Sequence, residues 1–166
     1  ITGGAGVLGG EIACALVGCH ANVVILDRDL ELAQKVIERF PHMVKGRAVR
    51  VYGDVLNLET LQQADETIKA EFGPVDILIN AAGGNHPAAT TSAELSFFDL
   101  PLDALRRVSD LNLLGTILPC QTFGRGMAEK SVTLVSAPSS SGELEPVPKA
   151  RRWAASLGML TFGIGI

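Results

Sequence analysis

The sequence predicts an α/β fold, doubly wound around a mostly parallel sheet, and three observations carry that prediction. Short continuous apolar runs at residues 23–26, 48–52 and 75–79 are of the kind that parallel sheets bury on both faces. Between them lie segments whose apolar residues recur at helical spacing. The chain also opens on Ile1, Thr2 and then Gly3, Gly4, Ala5, Gly6, Val7, Leu8, Gly9 and Gly10, which reads as a strand end, a glycine turn and the start of a helix. Glycines there let the backbone approach a diphosphate, and the N–H groups and dipole of the following helix stabilise its negative charge.

Each element has its own local reason. Ile12, Leu16 and Val17 give the first helix an apolar face, with Gly18 as its C-cap. Residues 23–26 form the next strand, closed by Asp27, eighteen residues after Gly9 and near the spacing at which a carboxylate meets the adenosine ribose hydroxyls. Asp29 caps a helix carrying Leu32, Val36 and Phe40, which Pro41 ends. Residues 48–52 form a third strand, and Asn57 caps a helix with Leu61, Ala64, Ile68 and Phe72 on one side. Gly73 and Pro74 punctuate before the fourth strand at 75–79. Residues 88–101 are polar and irregular apart from Phe97 and Phe98, and a long helix follows with Leu105, Val108, Leu111 and Leu114 at helical spacing. Residues 132–136 read as a fifth strand ending at Ser136. His86, in the loop after the fourth strand, is either a substrate contact or a solvent-facing loop histidine.

Thr2, Gly3 and Gly9 match the Thr-Gly-x-x-x-Gly-x-Gly signature, and the chain resembles the short-chain dehydrogenase/reductase family with its Rossmann-like fold. Val7 stands where that family has glycine, and Gly6 supplies part of the backbone freedom. The variant Gly-Gly-x-Gly-Val-Leu-Gly resembles the branch that includes sugar-acid oxidoreductases of the D-mannonate type. The resemblance implies cofactor contacts from Gly3, Gly6, Val7, Leu8, Gly9, Asp27 and Arg28, and an adenine contact from Asp54 and Val55, although Asp54 also reads as a plain turn acid. Asn80, Ala81, Ala82 and Gly83 look like the family's Asn-Asn-Ala-Gly, with alanine in second place. Small residues there let the cofactor lie against the strand end, and Asn80 is placed to tie neighbouring strands together. Asp110-Leu-Asn112-Leu-Leu-Gly115 matches the segment whose asparagine organises a proton-relay water, and an amide among leucines needs a hydrogen-bond partner in any case. Ser136 falls where the family serine bonds the substrate carbonyl. The implied activity is hydride transfer between nicotinamide and a secondary alcohol or ketone. The implied cofactor is NAD more than NADP, because Asp27 repels a 2′-phosphate, while Arg28 is able to pair with one. The intact parent is expected to be a homo-oligomer.

Composition bounds the partners. In 166 residues, 47% hydrophobic and 19% charged, the net charge is −4. That balance offers no basic field to a nucleic-acid backbone. Cys14, Cys19 and Cys120 lack zinc-type spacing, so no metal site is expected, and they read as reduced thiols of a cytoplasmic protein. No apolar run reaches the length of a membrane span. A glycine turn of this kind follows a full apolar strand, of which Ile1 and Thr2 are the only residues here, so the chain reads as a fragment.

The resemblance breaks at the acid–base pair. Family chemistry uses Tyr-x-x-x-Lys, expected thirteen residues after the serine, where the chain has Lys149 and then Trp153; its single tyrosine is Tyr52. Residues 1–136 therefore read as a dinucleotide-binding domain and 137–166 as an atypical tail, frame-shifted or diverged. Two readings stay open: an oxidoreductase whose listed chain is inactive, or a non-catalytic dinucleotide-binding module.

Overall fold

The computed structural model describes residues 1–40, 46–135 and 159–161. Strand β1 is Val23–Asp27, β2 Ala48–Tyr52, β3 Leu78–Asn80 and β4 Met159–Thr161. Helix α1 is Val7–Gly18, α2 Leu30–Glu38, α3 Leu58–Phe72, α4 Leu102–Ser109 and α5 Gly115–Val135. A π-helical turn, Asp110–Leu114, joins α4 to α5.

All strand pairs are parallel. β1 pairs with β2, Val23 opposite Ala48 and Asp27 opposite Tyr52, and β3 pairs with β4. Thr2 bridges the two halves, lying opposite Leu26 on one side and Asn80 on the other. Each connection between neighbouring parallel strands needs a crossover, which the helices supply. The helices therefore divide between the faces. On one face, Ala13 and Val17 of α1 and Ala33 and Val36 of α2 pack with Val23 and Ile25. On the other, Leu61, Ala64 and Ile68 of α3 and Phe123 and Met127 of α5 pack with Leu26 and Leu78. Alternate residues of β1 thus feed opposite cores, as strand periodicity requires.

Local signals explain most boundaries. Asp29 accepts the Leu32 N–H and Asn57 those of Glu59 and Thr60, so both expected caps start their helices. Gly18 is the last residue of α1, whose cap is Cys19. Ile12 and Leu16 are half-buried while Ala13 and Val17 are fully buried, which rotates the packed stripe towards the smaller side chains. The fourth strand is shorter and later than its apolar run suggests, at Leu78–Asn80, because Gly73 and Pro74 delay regular pairing.

The larger correction lies at the fifth strand. Residues 132–135 belong to α5, and the strand beside β3 is Met159–Thr161. Val132, Thr133 and Val135 have strand-forming side chains, but they follow an established helix, and extending a helix adds one hydrogen bond for each residue fixed, without a new nucleus. Pro41 and Ser136, like Lys149 and Trp153, lie outside the described residues. Among the described residues no helix is long and apolar enough to cross a membrane.

Candidate functional site

The glycine turn is fixed between β1 and β3. Gly3 takes φ +61°, and a Cβ there would lie 2.6 Å from Ala82 Cα, so the position requires both a left-handed backbone and no side chain. At Gly9 a Cβ would lie 2.5 Å from the Gly3 carbonyl oxygen, so the turn folds directly onto the start of α1. Gly6 is the N-cap of α1 and supplies no side-chain cap, leaving the first N–H groups of the helix to another acceptor. Val7 and Leu8 are 83% and 58% exposed above them. The branched side chain at Val7 therefore meets no crowding inside the turn.

Asp27 joins this turn to the end of β1. One carboxylate oxygen accepts the Ala5 N–H at 3.1 Å and the other that of Asp29 at 3.1 Å. Beyond it, Arg28 lies 3.9 Å from the Asp54 carboxylate, at the end of β2. Asp54 also accepts the Leu56 N–H at 2.9 Å, so it is a turn acid as well as part of this edge. Val55 is buried. Tyr52, half exposed and opposite Asp27 in the ladder, lines a shallow surface with Asp27, Arg28 and Leu30.

At the end of β3, the Ala82 N–H donates to the buried Thr2 hydroxyl at 3.3 Å. Asn80 is fully buried, but its amide donates to Cys120 Sγ at 3.3 Å on α5 and not to a neighbouring strand; its Oδ1 has no partner among the described residues. The tie is thus from sheet to helix, because Cys120 is the polar group the fold brings within reach. Asn112 finds the partners its setting demands. Its amide donates to the Gly84 and Val108 carbonyls, both at 2.8 Å, and its Oδ1 accepts the Gly84 N–H at 3.2 Å. The π-turn places that side chain against the Gly83–Gly84 backbone, and its own carbonyl accepts the Thr116 hydroxyl at 3.0 Å. His86 caps the short 3₁₀ turn at Pro87–Ala89, its Nδ1 accepting the Ala88 N–H at 3.2 Å. Nε2 then carries the ring hydrogen and acts as donor.

Gly3 to Gly9, Asp27, Arg28, Asp54, Val55, Asn80 to Gly83 and Asn112 thus gather at the carboxyl ends of β1, β2 and β3, the edge at which open parallel sheets bind ligands. The arrangement offers an anion a free helix terminus and offers hydroxyl groups a fixed carboxylate. Thr2 was legible only as part of a motif; a β-branched residue with a hydroxyl at the sheet centre is the signal that marks its structural role. Cys120 had no such signal, since its contact with Asn80 spans forty positions.

A family model described as short chain dehydrogenase matches residues 1–160. An uncharacterised oxidoreductase of Haemophilus influenzae is 36% identical over 159 residues, covering 90% of this chain and 55% of its own length. A second, UxuB of Bacillus subtilis, is 35% identical over 164 residues, 94% of this chain and 59% of its own. A crystal structure of a candidate D-mannonate oxidoreductase from Haemophilus influenza, with bound NAD, superposes with a TM-score of 0.67 at 38% identity, over 75% of this chain and 48% of that one. The chain spans a little over half the length of the curated relatives it matches.

Proposed function

Because the chain belongs to the short-chain dehydrogenase family, we propose that it is the dinucleotide-binding part of an NAD-dependent oxidoreductase acting on a secondary alcohol or its ketone. The observation that carries this reading is the pairing of an uncapped α1 terminus with Asp27, tied to the same turn through Ala5. The helix terminus takes the diphosphate, and Asp27 retains unused lone pairs to accept the ribose hydroxyls. A 2′-phosphate beside that carboxylate is repelled, which favours NAD, and Arg28 is already close to Asp54. Ala81, Ala82 and Gly83 leave room at the end of β3 for the nicotinamide, and Asn112 fixes the backbone beside it. Asp54 and Val55 border the adenine end.

Bound there, the nicotinamide ring accepts a hydride from the carbinol carbon as the alcohol becomes a ketone. The hydroxyl proton needs a base, and in the family resemblance Ser136 polarises the oxygen while Asn112 serves the relay. The phenol and lysine of the family pair are missing from this sequence, and Tyr52 sits at the outer, adenosine end of the edge. We therefore infer that the chain by itself binds the dinucleotide and does not turn over substrate. A sugar acid is the favoured substrate class, on the strength of the 38% identical structure. His86 Nε2 faces such a substrate as a donor. A cytoplasmic setting and a homo-oligomeric parent complete the reading; exposed Leu113, Leu114 and Ile117 support the latter.

The test combines two assays on the purified chain: NADH binding, and NADH formation from secondary alcohols and sugar acids. Binding without turnover is expected. Turnover surviving purification controls would overturn the missing-base argument, and absence of binding by a folded chain would overturn the dinucleotide site.

A further inference from the structure

A cavity of about 290 Å³ runs between β1 and β3 on the amino side of Ile1, away from the glycine turn. Its walls are apolar on both sides of the sheet plane. Leu16 and Ala21 belong to the core beneath α1, and Ile68 and Phe123 to the core beneath α3 and α5. Its long edges are peptide backbone. On β1 the Val24 carbonyl accepts from the Ile1 amino group, and the Leu26 N–H donates to the Ile1 carbonyl. On β3 the Ile79 carbonyl accepts the Thr2 N–H. In parallel ladders successive residues point their N–H and C=O groups to opposite sides. The same alternation therefore aims the Val24 and Ile79 N–H groups into the cavity.

We propose that this cavity is a receptor for an extended, wholly apolar peptide segment joined to Ile1, which docks as a parallel strand between β1 and β3. Thr2 lies opposite Leu26 and Asn80, so stepping back along both strands fixes the register. The residue joined to Ile1 falls between Val24 and Leu78, and the one before it between Val23 and Ile77. Ile1 packs into the core beneath α1. By strand alternation its new neighbour faces Ile68 and Phe123, and the next residue faces Leu16 and Ala21. Apolar side chains are required at consecutive positions, because both faces are covered. A charged residue would be buried without a partner. Attachment to Ile1 makes docking intramolecular, so three or four residues suffice where a free peptide of that length would not bind. Burial lowers the pKa of the Ile1 amino group to about 5, in keeping with a position suited to an amide.

Three extensions joined to Ile1 of the 166-residue chain test this: Val-Ala-Val, Gly-Ser-Gly and Val-Ala-Asp. All three convert the amine to an amide, so a difference among them reports the segment. The expected result is a Tm higher by about 5 °C or more for Val-Ala-Val than for the other two. Amide exchange at Val24 and Ile79 should slow by about tenfold or more in that variant alone. If only Val-Ala-Val melts cooperatively, the proposal is equally supported. Equal Tm values, or no cooperative transition in any, with no protection at Val24 and Ile79, would overturn it. Dinucleotide binding enters none of these readouts.

Discussion

The Asp27 carboxylate has one oxygen on the Ala5 N–H and the other on the Asp29 N–H, so its side chain holds the glycine turn before any ligand arrives. Asp27→Ala removes both acceptors as well as the proposed ribose contact. It is expected to weaken NADH binding by about tenfold or more, the loss of a charge-assisted hydrogen bond, and to lower Tm, as calorimetry and thermal melting would show. Unchanged NADH affinity would remove Asp27 from the recognition role. Asn112 presents the complementary case, with three hydrogen bonds to the backbone at Gly84 and Val108. Asn112→Leu keeps the bulk and leaves these partners unpaired. A loss of about 2 kcal/mol in denaturant unfolding is expected, against near neutrality if the amide were merely solvated.

Among the elements, the caps behave as their residue types require. Asn57→Ala withdraws the acceptor for Glu59 and Thr60 and should cost about 1 kcal/mol by denaturant unfolding, with little effect on the dinucleotide edge. Helix α5 is a sharper test, because residues 132–135 look like a strand to a local reading. Helical Cα chemical shifts through Val135 are expected; strand-like shifts would restore the fifth strand to that segment. The amino group of Ile1 adds a pH dependence. Burial lowers its pKa from 8.0 to about 5, so the folded state disfavours the charged form. Stability of the unextended chain should be full above pH 8 and fall as pH drops from 8 towards 5, where the unfolded chain takes up a proton that the folded chain refuses. Acetylation of that amine should flatten Tm across this window; a persistent slope would assign it to other groups.

For the whole molecule, the parallel sheet and its carboxyl edge were legible because each rests on local signals. The turn glycines, the apolar runs of β1 and β2, and the caps Asp29 and Asn57 all act within a few residues of themselves. Interactions across the fold were not legible. The Asn80 amide reaches Cys120 on a helix, the Asp27 carboxylate serves Ala5, and the strand beside β3 comes from Met159–Thr161, far along the chain. Nothing in residue type or spacing announces such partners, since tertiary packing selects them. Asn112 stands between these cases: its need for partners followed from its leucine neighbours, but their identity, the backbone at Gly84, followed from the π-turn.

The central claim is that the edge formed by the glycine turn and Asp27 binds a dinucleotide and selects NAD. Calorimetric titration of the 166-residue chain with NADH and NADPH in parallel tests it most directly. The account predicts saturable binding of NADH at one site per chain, tighter than that of NADPH. Equal or tighter binding of NADPH, or no binding of either by a chain that melts cooperatively, would contradict it.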